Sequence, residues 1–190
     1  MTPVIEAAQA GERHLFFVDA AHFVLQPFLG FLWSFSRVFI RASSGRQRFN
    51  VLAALDACTH QVLTVTNDSY ITAAEVCALL SKIRTAVTDP WPVTLVLDNA
   101  RYQHCRRVMA QAAVLEIELL FLPPYSPNLN LIERLWRFVR KDCLATAYFE
   151  AFEPFKSAIL ACLDQTQAKH KVALQSLLAL NFQTFNNVTS

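Results

Sequence analysis

The sequence predicts an α/β fold, a mixed five-stranded sheet with helices on both faces, followed by a C-terminal helical extension. Three observations predict it. First, Val93–Leu97 and Ile117–Leu122 are short, largely apolar runs of β-branched, leucine and aromatic residues, the pattern of strands buried on both faces. Second, helical periodicity follows each of them, over Tyr102–Ala113 and Leu131–Ala147, so strand and helix alternate in the second half. Third, the first half carries several strand-like runs joined by short links, which suits antiparallel pairing.

Taken in order, residues 1–13 are a polar lead of about one helical turn. Leu15–Asp19 is the first strand, and Phe23–Trp33, which holds Pro27 and Gly30, is a packed loop or broken hairpin. Phe35–Arg41 alternates as a second strand; Ser43–Arg46 is a turn; Phe49–Ala57 is a third strand, and Val62–Thr66 a short further one. Thr72 with Glu75 forms a capping box for a helix to Val87, whose apolar residues Val76, Leu79, Leu80 and Ile83 share one face. Asp89-Pro90-Trp91-Pro92 stops it. After the alternating segment, Phe152, Phe155, Ile159 and Leu163 mark an amphipathic helix, and Leu174, Leu177, Leu178 and Leu180 a shorter one. The expected organisation is therefore a lead (1–13), one domain (14–148) and a helical extension (149–190).

Composition narrows the function. A chain of 190 residues with 54% hydrophobic and 17% charged residues has the makings of a well-buried core. Three glycines, with neither GxGxxG nor GxxxxGK[ST], exclude the glycine-rich phosphate loops. The net charge of +2 does not announce nucleic-acid binding, so any basic surface must come from local clustering. The five cysteines are scattered, without a CxxC pair, and are expected to be reduced thiols in an intracellular protein rather than zinc ligands. No run approaches the ~18 uncharged apolar residues of a membrane span, and the N-terminus lacks the pattern of a secretory signal. The expected compartment is the cytoplasm.

Three acids stand at the ends of core elements: Asp19 after Leu15–Val18, Asp98 after Val93–Leu97, and Glu133 near the start of the helix after the last strand. Ligands of open α/β sheets gather at the carboxyl ends of parallel strands. If the first strand neighbours the one ending at Asp98, the three carboxylates converge on one rim. There they repel one another unless cations neutralise them, and an all-oxygen set favours Mg²⁺ or Mn²⁺. Each acid also has a plain structural role open to it. Asp19 can be an ordinary turn residue, Asp98-Asn99 an Asx turn, and Asn130 with Glu133 a capping box. Asp56, which also follows an apolar run, competes with Asp19 for the place of first acid.

The wording around the acids is more specific than their positions. FFVDAAHF, LVLDNARYQH and LPPYSPNLNLIERLW resemble the catalytic domain of insertion-sequence transposases of the bacterial branch of the Tc/mariner superfamily, over residues 14–148. Asp98 and Glu133 have 34 residues between them, as the second and third acids do in many members of that family. The resemblance implies a ribonuclease H-like fold in which Asp19, Asp98 and Glu133 are the catalytic and metal-binding acids for two Mg²⁺ (or Mn²⁺) ions. It implies hydrolysis of a phosphodiester at the element end, followed by in-line attack of the freed 3′-hydroxyl on target DNA. Asn99 and His104 match family positions beside the second acid, as groups that support it or face DNA. The chain departs from the family in one place, with Leu131 where Pro is common after the Asn of the last motif.

Basic residues cluster near these acids. Arg134, Arg137 and Lys141 recur along the Glu133 helix with Arg140 nearby; Arg101, Arg106 and Arg107 flank Asp98; Arg37, Arg41, Arg46 and Arg48 surround the second turn. Arg101, Arg134, Arg137 and Lys141 are the expected phosphate contacts. Trp136 is expected in the core rather than stacked on a base, and His22 stands near Asp19 in sequence. Family members also carry an N-terminal helix-turn-helix, for which the residues ahead of Leu15 are too few. The expected partners are therefore terminal inverted repeats and target DNA, a separate helix-turn-helix product, and further copies of the chain. Two other functions fit the same residues: a non-catalytic DNA- or partner-binding remnant, and a structure-selective nuclease of the same fold.

Overall fold

A computed structural model describes residues 1–25, 47–123, 129–145 and 147–180. The expected second strand over Phe35–Arg41, the turn after it, Arg37, Arg41 and Arg46, and the PYSPN part of the last motif lie outside the described residues.

Helix α1 (Thr2–Gln9) has Pro3 in its first turn and is longer than the expected single turn. Gly11, at φ +76°, leads out of it toward the sheet, a conformation in which a side chain would be strained. The strands are β1 (His14–Leu25), β2 (Gln47–Asp56), β3 (Val62–Asn67), β4 (Val93–Leu97) and β5 (Ile117–Phe121). They form one sheet in the order β3-β2-β1-β4-β5. β1 is central, antiparallel to β2 and parallel to β4; β4 is parallel to β5. The mixed five-stranded sheet expected from the sequence is therefore present.

β1 is much longer than Leu15–Asp19. It pairs with β2 from Phe16 opposite Asp56 to Leu25 opposite Gln47. Ala21, Phe23 and Leu25 continue the alternation of Leu15 and Phe17, so the strand keeps a buried face after Asp19. The expected loop from Phe23 thus begins inside a strand, and Asp19 is a mid-strand residue.

Alternation sorts the sheet into two cores. Leu15, Phe17, Ala21 and Phe23 of β1, with Val51, Ala53 and Leu55 of β2 and Val96 of β4, face one layer. Helix α4 (Ile132–Phe138) supplies Ile132, Leu135, Trp136 and Phe138 there, α5 (Phe152–Asp164) supplies Phe155, Ile159 and Leu163, and α6 (Lys171–Leu177) supplies Leu174. Phe16, Val18, Leu52, Ala54, Leu95 and Leu97 face the opposite layer, made by α2 (Ala73–Ala86) and α3 (Arg106–Val114). Burying each of these large side chains is worth about 1.5–3 kcal/mol, so the expected C-terminal extension is joined to the sheet by one continuous core.

α2 begins on the expected capping box. The Thr72 hydroxyl accepts from the Ala74 amide (3.2 Å), and the Glu75 carboxylate accepts from the Thr72 amide (2.7 Å). α3 starts four residues later than expected. The amides of Gln103 and His104 turn back to the Ala100 carbonyl, and Cys105 is extended at φ −126°, so the helix can start only beyond it. α4 runs into a π-helical segment, Val139–Leu144, in which the Ala145 amide reaches the Arg140 carbonyl five residues back. Among the described residues no helix is long and apolar enough to cross a membrane.

The cysteines depart from the expectation of five reduced thiols. Cys143, on the π-helical segment, and Cys162, on α5, form a disulfide, while Cys58, Cys77 and Cys105 are free. Each pairing half sits on a different helix, and only the packing of those helices brings them together.

Candidate active site

Asp19 belongs to the alternating set of β1 that faces α4. On that face it replaces an apolar residue, and the packing leaves it little water. Its Oδ2 accepts a hydrogen bond from the Trp136 indole Nε1–H at 3.0 Å. Trp136 is itself 2% exposed and meets Phe23 edge-on at 6.0 Å, so the donor is rigidly held. Burial pushes the Asp19 carboxyl up to about 7; the Ala20 backbone donor and the Trp136 bond oppose this, and the charges of Asp98 and Glu133 add to it.

Asp98 follows the last residue of β4. Val18 and Leu97 are paired in parallel register, which puts Asp98 beside Asp19 on neighbouring strands. Its Oδ1 accepts from the Asn130 Nδ2 at 3.3 Å, and the same nitrogen donates to the Val18 carbonyl at 3.3 Å. Asn130 therefore does not cap α4 through its side chain, as the sequence allowed. The cap position is Leu131, in helical geometry and without a side-chain cap bond.

Glu133 lies on the first turn of α4 and is half-buried. Desolvation and the Asp98 charge raise its pKa, while Arg137 and Arg140 lower it. The phenol of Tyr102, on the turn after β4, is pushed up to about 12 by burial and by the charges of Asp19 and Asp98. Asp19 thus feels both other acids and Glu133 feels Asp98, from three different elements of the fold.

An all-carboxylate set with a buried, mutually repelling member fits a hard divalent cation, which would restore ionisation at Asp19. The three acids do not form a single knot of oxygens within 4.8 Å of one another; among the described residues only Cys143, Cys162 and His170 do so, with both sulfurs already joined in the disulfide.

The remaining expected residues divide. Asn99, Arg101 and His104 are exposed on the loop after β4, with the His104 ring against Phe121 at 4.6 Å. Arg137 and Lys141 are exposed, and Arg140 is exposed with its guanidinium over the Phe23 ring at 5.5 Å. Arg134 instead donates to the carbonyls of Leu177 (3.3 Å) and Ala179 (2.8 Å), tying α4 to the chain after α6. His22 is an odd number of residues from Asp19 and so faces the other side of the sheet, where its Nδ1 pairs with Asn50 Oδ1 at 2.6 Å. Asp56 accepts from the amides of Cys58 (2.9 Å) and Thr59 (2.7 Å) as a turn residue. Sequence reasoning passed over two side chains at the site. Asn130 stands in the last motif, where the one role open to it in sequence was a capping box with Glu133, and Tyr102 stands in LVLDNARYQH without an assigned role.

The sheet order and the acidic face define a ribonuclease H-like domain. Residues 14–156 match the family model described as DDE superfamily endonuclease, and the chain belongs to that family. Its fold is similar to that of Mos1 transposase in the Mos1 mariner paired end complex with Mn, at a TM-score of 0.59 and 13% identity, over 97% of this chain and 61% of that one. The Mos1 paired-end complex with left transposon end gives a TM-score of 0.58 and 13% identity, over 96% of this chain and 60% of that one. In sequence, 74 residues are 32% identical to uncharacterized protein y4pE/y4sA of Sinorhizobium fredii (strain NBRC 101917 / NGR234), which is 39% of this chain and 53% of that protein. The chain thus spans about three fifths of the Mos1 chains, and its match reaches about half of the Sinorhizobium protein.

Proposed function

We propose that the chain is the catalytic domain of an insertion-sequence transposase, cutting DNA at element ends and transferring the freed strand to target DNA in the cytoplasm. Asp19, Asp98 and Glu133 are its catalytic acids and hold two Mg²⁺ or Mn²⁺ ions. The catalytic domain is residues 14–148, followed by an extension (149–190) whose α5 and α6 share the core layer of α4. One observation carries this reading: the parallel register of Val18 with Leu97 puts Asp98 beside Asp19, and α4, which bears Glu133 on its first turn, bonds to Asp19 through Trp136.

Cations held by Asp19, Asp98 and Glu133 would neutralise phosphate charge and would lower the pKa of the attacking water or 3′-hydroxyl. The chain's own residues fix the geometry. Trp136 and the Ala20 amide hold Asp19, and Asn130 holds Asp98. Arg134 anchors α4 through backbone carbonyls, which keeps Glu133 in place. Arg137 and Lys141, exposed on the same helix and its π-helical continuation, with Arg101 beyond β4, offer charge to the DNA backbone. Asn99 and His104 face the same DNA. Recognition of terminal repeats is assigned to a separate helix-turn-helix product, and synapsis of two ends to a homo-oligomer.

The test is Mn²⁺-stimulated nicking of a terminal-repeat duplex by the wild-type chain, with Asp98→Asn as control. Nicking by the wild type alone is expected. Equal activity in both, or none in either where DNA is bound, points to a non-catalytic remnant. Cleavage of RNA–DNA hybrids or branched DNA without preference for repeats points to a structure-selective nuclease.

A further inference from the structure

Asn130 is 1% exposed, and its amide group is used in an unusual way. Both hydrogen bonds leave from Nδ2, one to the Val18 carbonyl just ahead of Asp19 and one to Asp98 Oδ1. Its Oδ1 is buried and has no partner among the described residues. A residue kept only to fill space at the start of α4 would be apolar, because a bare buried amide oxygen is costly. Leu131 and Ile132, its neighbours, are apolar and fully buried.

We propose that Asn130 is a positioning residue for the cation site: its amide donor fixes the Asp98 carboxylate, and so sets the affinity of the site for a divalent metal. The inference rests on the assignment of Asp98 as a metal ligand made above. The NH₂ group has two hydrogens, and the two acceptors are a main-chain oxygen of β1 and a carboxylate oxygen beyond β4. The Val18 bond locks the amide to the rigid central strand, and the Asp98 bond transmits that rigidity to a side chain that would otherwise rotate about Cα–Cβ. Asp98 Oδ1 is thereby oriented and Oδ2 presented in one direction. Groups that orient a ligating carboxylate in this way typically alter metal affinity by about 10–100-fold when removed.

Mn²⁺ binding is measured on the full chain without DNA, by electron paramagnetic resonance of free Mn²⁺. The proteins are wild type, Asn130→Leu, Asn130→Ala and Asp98→Asn, with urea melts in metal-free buffer alongside. The leucine variant keeps the volume and removes the donor. The expected result is about 10–100-fold weaker Mn²⁺ binding in both Asn130 variants, with a folded baseline retained. Wild-type affinity in either folded variant overturns the inference and leaves the acid site standing. Loss of the fold in both variants also overturns it, since Asn130 would then be holding the strands and not the carboxylate. If the wild type binds Mn²⁺ no better than Asp98→Asn, the assignment of the acid site itself fails.

Discussion

Replacing Asp19 by Asn should stabilise the metal-free protein, and by an amount that grows with pH. An aspartyl group in an unfolded chain titrates near 3.9, whereas burial and the neighbouring acids hold Asp19 at about 7. Between those values the folded state binds more protons than the unfolded state, so stability falls as pH rises through the window. Each pKa unit corresponds to about 1.4 kcal/mol. By linkage the Asp19 penalty is about 1–2 kcal/mol at pH 5 and about 4 kcal/mol at pH 8. Asparagine carries no charge, and its Oδ1 can still accept from Trp136 Nε1, so the hydrogen bond survives the substitution. Urea melts of both proteins at pH 5 and pH 8, with chelator, measure the difference directly. The gap should widen by roughly 2–3 kcal/mol between the two pH values, and Mn²⁺ at pH 8 should stabilise the wild type but not the variant. A gap that is the same at both pH values, or a wild type that grows more stable from pH 5 to pH 8 relative to Asp19→Asn, would refute the reasoning.

Two further outcomes follow from particular contacts. Trp136→Phe keeps a ring against Phe23 but removes the donor to Asp19. It should cost roughly 1.5–3 kcal/mol at pH 8, where Asp19 is ionised, and visibly less at pH 5; the same urea melts check it. Cys143→Ser opens a cross-link spanning a sequence separation of 19. Chain-entropy arguments give about 3 kcal/mol for a loop of this size, so thermal melts should separate the variant from the oxidised wild type and bring the two close together once a dithiol reductant is added.

Much of the fold was legible because local and global signals agree. Val93–Leu97 is apolar at every position but Thr94 and is buried at every position, as a strand covered on both faces must be. The α2 capping box was readable because all of its partners lie within four consecutive residues. The length of β1 was less legible. Pro27 and Gly30 suggested a loop from Phe23 on, but Phe23 and Leu25 are buried in the layer that α4 covers, and pairing with β2 extends the strand. The disulfide could not be read at all, since cysteines 19 apart in sequence meet only once two helices have packed.

The site shows the same division more sharply. The identities of Asp19, Asp98 and Glu133 came from motifs, while their surroundings came from the sheet. Alternation explains why Asp19 and not His22 faces α4: a step of two along a strand returns to the same face, and a step of three does not. The parallel pairing of Val18 with Leu97 then puts Asp98 alongside. Asn130 illustrates why sequence could not finish the argument. Four residues reading Asn-Leu-Ile-Glu are equally good as a capping box and as a link between β1, β4 and α4. What decides between them is the position of the Val18 carbonyl, contributed from 112 residues away. That long-range bond assigns the amide to Asp98 and leaves the Glu133 carboxylate unused by the cap.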